Sequence, residues 1–461
     1  MAGRALGESH LEEGKAIYMN RRDFVTKTTC ALSSLGAPTI LRAGVLGKNA
    51  PSNRINVGFI GTGRRAFGNN LPEMMAVPGV QAVAVCDVDS WRMDQAQEYV
   101  NSFYAKRDGL NSYHGCRKKS DFREILSDPG IDVVMISTPD HWHVPMGILA
   151  AKAKKHFALE KPLTLSVKQG RMLSDAVRKF GVTARNDSEF RSLRVQNHAV
   201  ELIRNGHIGK LEKIEITFPS DPPPVTVQPD MPVPAELDYD MWLGPTAAVP
   251  YTAKRVHDVK QVKLRPNWMR INTYAQGMIA NWGAHYFDLV QWVNNTEHSG
   301  PVEVEGHGEF PVSLWDTMIN FKVQYAYANG LVVTCEQTRT STPSISYFGK
   351  DAWIKVDGYP GKMTSDKPGL LMLEPEPGEL DFSKTLWDKN DLIAAIREGR
   401  QPLEPIKGGH RSITLAQIGL IACQVKDKLR WNPEKEVFEG NNWADALLAA
   451  PLTRPEWTIQ G

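Results

Sequence analysis

The sequence predicts an α/β protein: a doubly wound parallel sheet in the first half, then an α+β half built on a large, mostly antiparallel sheet. Three observations predict it. Short apolar runs alternate with helical patterns over residues 54–185, as strands covered on both faces require. From residue 302 to 356 strand-like runs succeed one another without helices between them, which favours antiparallel pairing. The length, 461 residues, exceeds one ordinary core and calls for two domains.

Taken in order, residues 54–60, 80–86, 132–137, 156–159 and 182–185 read as parallel strands. Between and after them, helices are expected over 71–75, 90–104, 121–126, 143–153, 166–179 and 191–204. Pro72 fits only a first turn, and Ser120 and Ser166 are candidate caps. Residues 210–218 alternate as a half-solvated strand, and a Pro-rich loop fills 219–234. Strands are then expected over 302–306, 316–327, 331–338 and 352–356, with Ala328-Asn329-Gly330 as a hairpin turn. Late helices are expected over 388–398 and 413–429. The organisation read from this pattern is 1–53 as signal and linker, 54–186 as the parallel-sheet domain, and 187–461 as a substrate and oligomerisation domain.

Charge narrows the function classes. Lys and Arg number 54 and Asp and Glu 52, a net charge of +2, which argues against nucleic-acid and anionic-membrane partners. The five cysteines, Cys30, Cys86, Cys116, Cys335 and Cys423, are far apart and form no C-x-x-C pair. Neither a disulfide framework nor a thiolate metal site is expected. Cys86 reads as a small buried hydrophobe. His141 and His143 lack a third ligand at helical spacing, so no metal site is expected.

Met19-Asn20-Arg21-Arg22-Asp23-Phe24-Val25 pairs two arginines ahead of hydrophobes, and the short apolar stretch 31–41 follows. This resembles a twin-arginine export signal. It makes Met19 the natural first residue of the signal, with 1–18 outside it, and a periplasmic location the expectation. The apolar stretch is too short for a permanent span.

Directly after the first strand stands Gly61-Thr62-Gly63-Arg64-Arg65-Ala66, the G-x-G-x-x-A form of the Rossmann dinucleotide fingerprint. Gly61 permits a tight turn, Gly63 admits the pyrophosphate to the backbone, and Ala66 lets the helix pack on the sheet. Asp87 ends the second strand about 20 residues further on, where a carboxylate binds a ribose 2′-hydroxyl. That favours NAD. Arg64, Arg65 and Arg92 keep NADP as the alternative.

Three further segments converge. Thr138-Pro139-Asp140-His141-Trp142-His143 and Glu160-Lys161-Pro162-Leu163 each follow a buried strand, at the strand ends where open α/β sheets bind ligands. The third is Asn281-Trp282-Gly283-Ala284-His285-Tyr286-Phe287-Asp288. Together they resemble the Gfo/Idh/MocA family, the glucose-fructose oxidoreductase and inositol dehydrogenase superfamily. Tyr239-Asp240-Met241-Trp242-Leu243-Gly244-Pro245 is similar to its exported branch. The resemblance covers residues 54–461.

The resemblance implies an N-terminal Rossmann domain, a C-terminal α/β domain, a carbohydrate substrate and a homo-oligomer. It implies that Lys161 lies beside the nicotinamide and helps to deprotonate the reacting hydroxyl, with Glu160 fixing it and Pro162 setting a turn that is commonly cis. It implies that His285 is a substrate-side acid or base and that Thr138, Pro139, His143 and Arg191 lie near the cofactor. Trp142, Trp268, Arg270, Tyr274, Asn281 and Trp282 are candidate substrate-binding residues. The family usually has Asp where this chain has Asn281, and an amide accepts no proton at neutral pH, so the proton must go to His285 or Lys161. Asp288 either orients His285 or faces away.

The activity implied is NAD(P)-dependent oxidation of a secondary hydroxyl of a sugar or glycoside, C3 among the candidates, with the cofactor held tightly and recycled in place. One alternative is glycoside cleavage through a transient 3-ketone, which acidifies the C2 proton. Another, of a different class, is a non-catalytic NAD-binding sensor or scaffold.

Overall fold

The computed structural model describes residues 53–449 together with Arg454 and Trp457. The twin-arginine motif, the Met19 reading and Cys30 lie outside the described residues.

The first half is a six-stranded sheet: β1 Ile55–Ile60, β2 Val80–Cys86, β3 Arg117–Lys119, β4 Val133–Ile136, β5 His156–Glu160 and β6 Ala184–Asp187. The strands lie in the order β3-β2-β1-β4-β5-β6, every pair parallel. This is the doubly wound Rossmann order, and its direction reverses between β1 and β4, where a crevice opens at the strand ends. Burial follows composition: the VVMI run of β4 is buried throughout, as a strand with helices on both faces must be. Helix Ser90–Asp108 is capped by the Asp89 side chain and closed by Gly109 in the left-handed region. Ser166 caps helix Val167–Phe180, accepting from Gln169. Ser120 does not cap the short helix Phe122–Ser127: the Asp121 carboxylate accepts from the Arg123 amide instead.

The second half carries a nine-stranded sheet of β7 Leu211–Pro219, β8 Glu303–Glu309, β9 Ile319–Ala326, β10 Val332–Thr338, β11 Ser344–Gly349, β12 Trp353–Asp357, β13 Lys362–Ser365, β14 Leu429–Asn432 and β15 Val437–Glu439. Its order is β13-β12-β11-β7-β10-β9-β8-β14-β15. Pairs are antiparallel except β7 with β10. The hairpin at Ala328-Asn329-Gly330 joins β9 to β10, with Gly330 at φ 90°. Helix Ile406–Val425 starts ahead of the expected 413 and stops short of the expected 429, where β14 begins. A Cβ at Gly409 would lie 2.6 Å from the Asn186 side chain, so glycine there serves close approach to β6 rather than termination.

Chain order and packing diverge late in the chain. Helix Asp388–Glu398 returns from the second half to the first, placing Leu392 and Ile393 in the core formed by Val57, Phe59, Val133 and Met135. Among the described residues no helix is long and apolar enough to cross a membrane. Cys86, Cys116, Cys335 and Cys423 are buried free thiols.

Candidate active site at the switch point

β1 delivers the chain into the crevice at Gly61, whose φ is 83°. A Cβ there would lie 2.6 Å from the Ser137 carbonyl oxygen at the end of β4, so only glycine fits between the two strand ends. At Gly63 the nearest atom to such a Cβ is the Arg92 guanidinium, at 3.1 Å. Helical backbone begins at Arg64 and runs to Ala76, with a π-turn over Ala66–Asn70. The loop is braced from β2: the Asp87 carboxylate accepts from the Thr62 amide at 2.6 Å and the Thr62 hydroxyl at 2.9 Å.

A cavity of about 150 Å³ opens here, lined by Gly61, Gly63, Arg64, Arg65, Asp87, Thr138, Pro139, Trp142, Glu160, Lys161 and Asn281. The second half also supplies Met241, Trp242, His257, Pro266 and Trp268 to the wall. The segment carrying them is tied to the end of β2. Asp238 donates its amide to the Val88 carbonyl at 2.9 Å, His257 contacts Asp89 at 3.0 Å, and Arg92 donates to the Gln261 carbonyl at 2.7 Å. Of this wall the sequence singled out Trp268 and the motif holding Met241 and Trp242, but not His257 or Pro266, which follow no helical or strand period.

The glycine cradle and the helix starting behind it fit a diphosphate. The Thr138 hydroxyl oxygen is buried without a partner among the described residues, a group an incoming polar ligand would satisfy. A dinucleotide would be held by Gly61, Gly63, Asp87 and Thr138.

At the end of β5, Glu160 accepts from Arg65 at 2.7 Å, from Asn70 at 2.9 Å and from the Lys161 amide at 3.2 Å. Burial opposes its ionisation, but Arg65, Lys389, Asn70 and Lys161 outweigh it and lower its pKa. Lys161 follows, half-buried, with a cis bond to Pro162. Its amine donates to the Asn281 side-chain oxygen at 2.7 Å and the Asn281 carbonyl at 3.1 Å. Burial lowers its pKa to about 8, against the pull of Glu160. An amide partner adds no compensating charge, so the lysine is poised to exchange a proton near neutrality.

His285 stands on helix Gly283–Val293, one turn beyond Asn281. Phe190 stacks on its ring at 4.3 Å, and the Ser188 hydroxyl meets Nδ1 at 2.9 Å. Burial, then Lys161 and Arg65, push its pKa well below the usual value, so the imidazole is neutral at pH 7. Nε2 has no hydrogen-bond partner among the described residues.

Several expectations need correction. Arg191 is not on the cavity wall: it is buried, pairs with Asp288 at 2.6 Å and with Glu297, and lies over the Trp292 ring. Asp288 therefore answers Arg191, not His285, whose orientation comes from Ser188. Arg270 sits behind the wall, paired with Asp221 at 3.3 Å and lying over Trp315. Tyr274 is core, packed against His141 and Trp242. Trp142 does line the cavity, with its indole N–H turned to the Met241 and Trp242 carbonyls, whereas Trp282 covers His285 and Tyr286. His143 is fully buried, meeting the Pro162 carbonyl at 2.7 Å and the Thr138 carbonyl at 3.0 Å. It ties the ends of β4 and β5 together from behind. Asp140, inside a motif singled out from the sequence, lines the cavity beside Lys161, and burial raises its pKa.

Comparison with known proteins agrees with this fold. Residues 55–188 match the oxidoreductase-family NAD-binding Rossmann fold, and residues 225–459 match the oxidoreductase-family C-terminal α/β domain. An α-N-acetylgalactosaminidase of Shewanella oneidensis is 31% identical over 168 residues, 36% of either chain. The match thus spans about a third of that relative. The aldose-aldose oxidoreductase of Caulobacter crescentus has the same fold, with a TM-score of 0.57 at 16% identity over 82% of this chain and 99% of that one. So has levoglucosan dehydrogenase in complex with NADH and L-sorbose, with a TM-score of 0.55 at 18% identity over 82% and 98%. With both halves matched, and the glycine cradle, the Glu160-Lys161 strand end and His285 in place, the chain belongs to the Gfo/Idh/MocA oxidoreductase family.

Proposed function

We propose that the protein oxidises a secondary hydroxyl of a sugar or glycoside, with NAD as the hydride acceptor. The observation that carries this reading is the Lys161 amine: it stands on the wall of the cavity that holds the glycine cradle, without an ion-pair partner among the described residues, its pKa lowered by burial. NAD is preferred to NADP. Asp87 occupies the ribose position, Arg65 is engaged by Glu160 and Glu189, and Arg92 by Asp89 and the Gln261 carbonyl.

A bound NAD, held by Gly61, Gly63, Asp87 and Thr138, would supply the hydride acceptor for the carbinol carbon. Lys161, in its neutral form, takes the hydroxyl proton in the same step and becomes an ammonium, held by the two oxygens of Asn281. His285 presents Nε2 as an acceptor that orients the hydroxyl. The tryptophans of the second half exclude water from the nucleotide. Tight binding with recycling in place is supported by the segment tied across the end of β2. Export is supported by the Arg21-Arg22 motif, and homo-oligomerisation by the family resemblance.

A second reading, glycoside cleavage through a transient 3-ketone, is favoured by the likeness to the α-N-acetylgalactosaminidase. It uses the same first step. The test is to identify the nucleotide released on denaturation, then to screen glycosides for reduction of the resident cofactor and for release of the aglycone. Reduction without release supports the first reading, and release the second. Absence of nucleotide contradicts both. Bound nucleotide that no glycoside reduces points to a sensor or scaffold.

A further inference from the structure

The family's carboxylate is missing at Asn281, yet a different carboxylate stands nearby. Glu189 follows β6 with φ 55°, a left-handed conformation that a side chain other than glycine rarely adopts. Such strain persists where surrounding structure holds it and clusters at functional sites. The residue is 5% exposed. One carboxylate oxygen is paired with Arg65, which also binds Glu160. The other has no hydrogen-bond partner among the described residues. Its two neighbours hold His285: Ser188 bonds the ring, and Phe190 stacks on it. One three-residue turn therefore carries a carboxylate and fixes the imidazole, while Arg65 ties that carboxylate to the strand end bearing Lys161.

We propose that Glu189 is a positioning residue for the oxidation step, supplying beside Lys161 the titratable carboxyl that Asn281 lacks. The inference rests on the functional reading above. Glu189 acts through Lys161 rather than on the substrate. When ionised it favours the ammonium, and when protonated it releases Lys161 toward the neutral amine that accepts the hydroxyl proton. The groups facing Glu189 are Arg65 from the phosphate-loop helix, Glu160 and Lys161 from β5, Asp187 from β6, Asp388 from the returning helix and Tyr359 from the β12–β13 loop. Burial raises its pKa to about 8, against Arg65, in the range of Lys161 itself. Two such groups titrate together rather than separately.

The test is carbon-13 NMR of the whole protein labelled at lysine Cε, with Lys161 assigned by its loss in Lys161→Met. In the unsubstituted chain the Lys161 signal should titrate in two steps between about pH 7 and 9, as coupled groups do. In Glu189→Gln the midpoint should fall by about one unit, a tenfold rise in neutral amine below it, and Glu189→Asp should restore it. A single ordinary lysine titration above pH 10 in the unsubstituted chain overturns the proposal. An unmoved midpoint in folded Glu189→Gln does the same, and the first outcome needs no variant at Glu189. The readout requires no substrate. Failure of the oxidoreductase reading would appear separately, as cofactor that no glycoside reduces while the Lys161 midpoint still moves.

Discussion

Lys161 and Asn281 meet through two hydrogen bonds, with the lysine amine donating to the amide oxygen at 2.7 Å and to the main-chain carbonyl at 3.1 Å. The contact spans both halves of the molecule. It gives Lys161 a fixed direction without a fixed charge, and most of the chemistry follows from that difference.

Replacing Asn281 by Asp is therefore expected to impair the enzyme at neutral pH. A carboxylate at hydrogen-bond distance favours the ammonium and raises the lysine pKa by about 1–3 units. The rising limb of the pH profile should move upward by that amount, with turnover at pH 7 falling at least about tenfold. The check is the pH dependence of cofactor reduction in both forms. An unchanged limb would mean that Lys161 is not the group that takes the proton.

Gly61→Ala should lose nucleotide binding. A methyl group would press on the Ser137 carbonyl at 2.6 Å, and the position has a φ of 83°. The strain should lower stability by more than about 1 kcal/mol. Comparing bound nucleotide after desalting, and Tm with and without added NAD, checks it.

Arg191→Leu separates structure from chemistry. The guanidinium is buried between Asp288 and Glu297. Removing it strands a buried carboxylate, at a cost of about 3–5 kcal/mol. Denaturant unfolding should show that loss, while the pH profile of the surviving folded enzyme keeps its limbs.

Acid should unfasten the helix Ile406–Val425 from the β14–β15 turn. Glu436 accepts from His410 at 2.6 Å and pairs with Arg171 at 2.8 Å. Burial opposes its ionisation, but these partners lower its pKa to about 2. Because the folded value lies below the unfolded 4.5, the contribution is fully present above about pH 4.5 and is lost as pH falls toward 2. Glu436→Gln should flatten the stability curve in that window, as measured by Tm from pH 2 to 6.

The parts of this fold legible in the sequence are those set by local periodicity. The five long parallel strands, the cap at Ser166 and the glycine turn each follow from a pattern within a few residues. The edge strand β3 is three residues long, and β11, β13, β14 and β15 hold their places by pairing rather than by pattern. The helix Ile406–Val425 begins ahead of the expected 413 because Gly408 and Gly409 carry no local helix signal, although Gly409 is what lets the helix approach β6. Of the residues that the motifs singled out, Lys161 and Asn281 line the cavity and His285 stands one turn beyond Asn281. Arg191 and Arg270 do not line the cavity, because an arginine's role depends on which carboxylate faces it. Glu189 carried no signal, since only the backbone reveals that it is held at positive φ.

The most direct test is rapid-mixing observation of nicotinamide fluorescence in the purified protein on addition of a reactive glycoside. The account predicts a reduction phase in the unsubstituted protein and its loss by about 10²–10⁴-fold in Lys161→Met, with the nucleotide still bound. An equal phase in both proteins would contradict it.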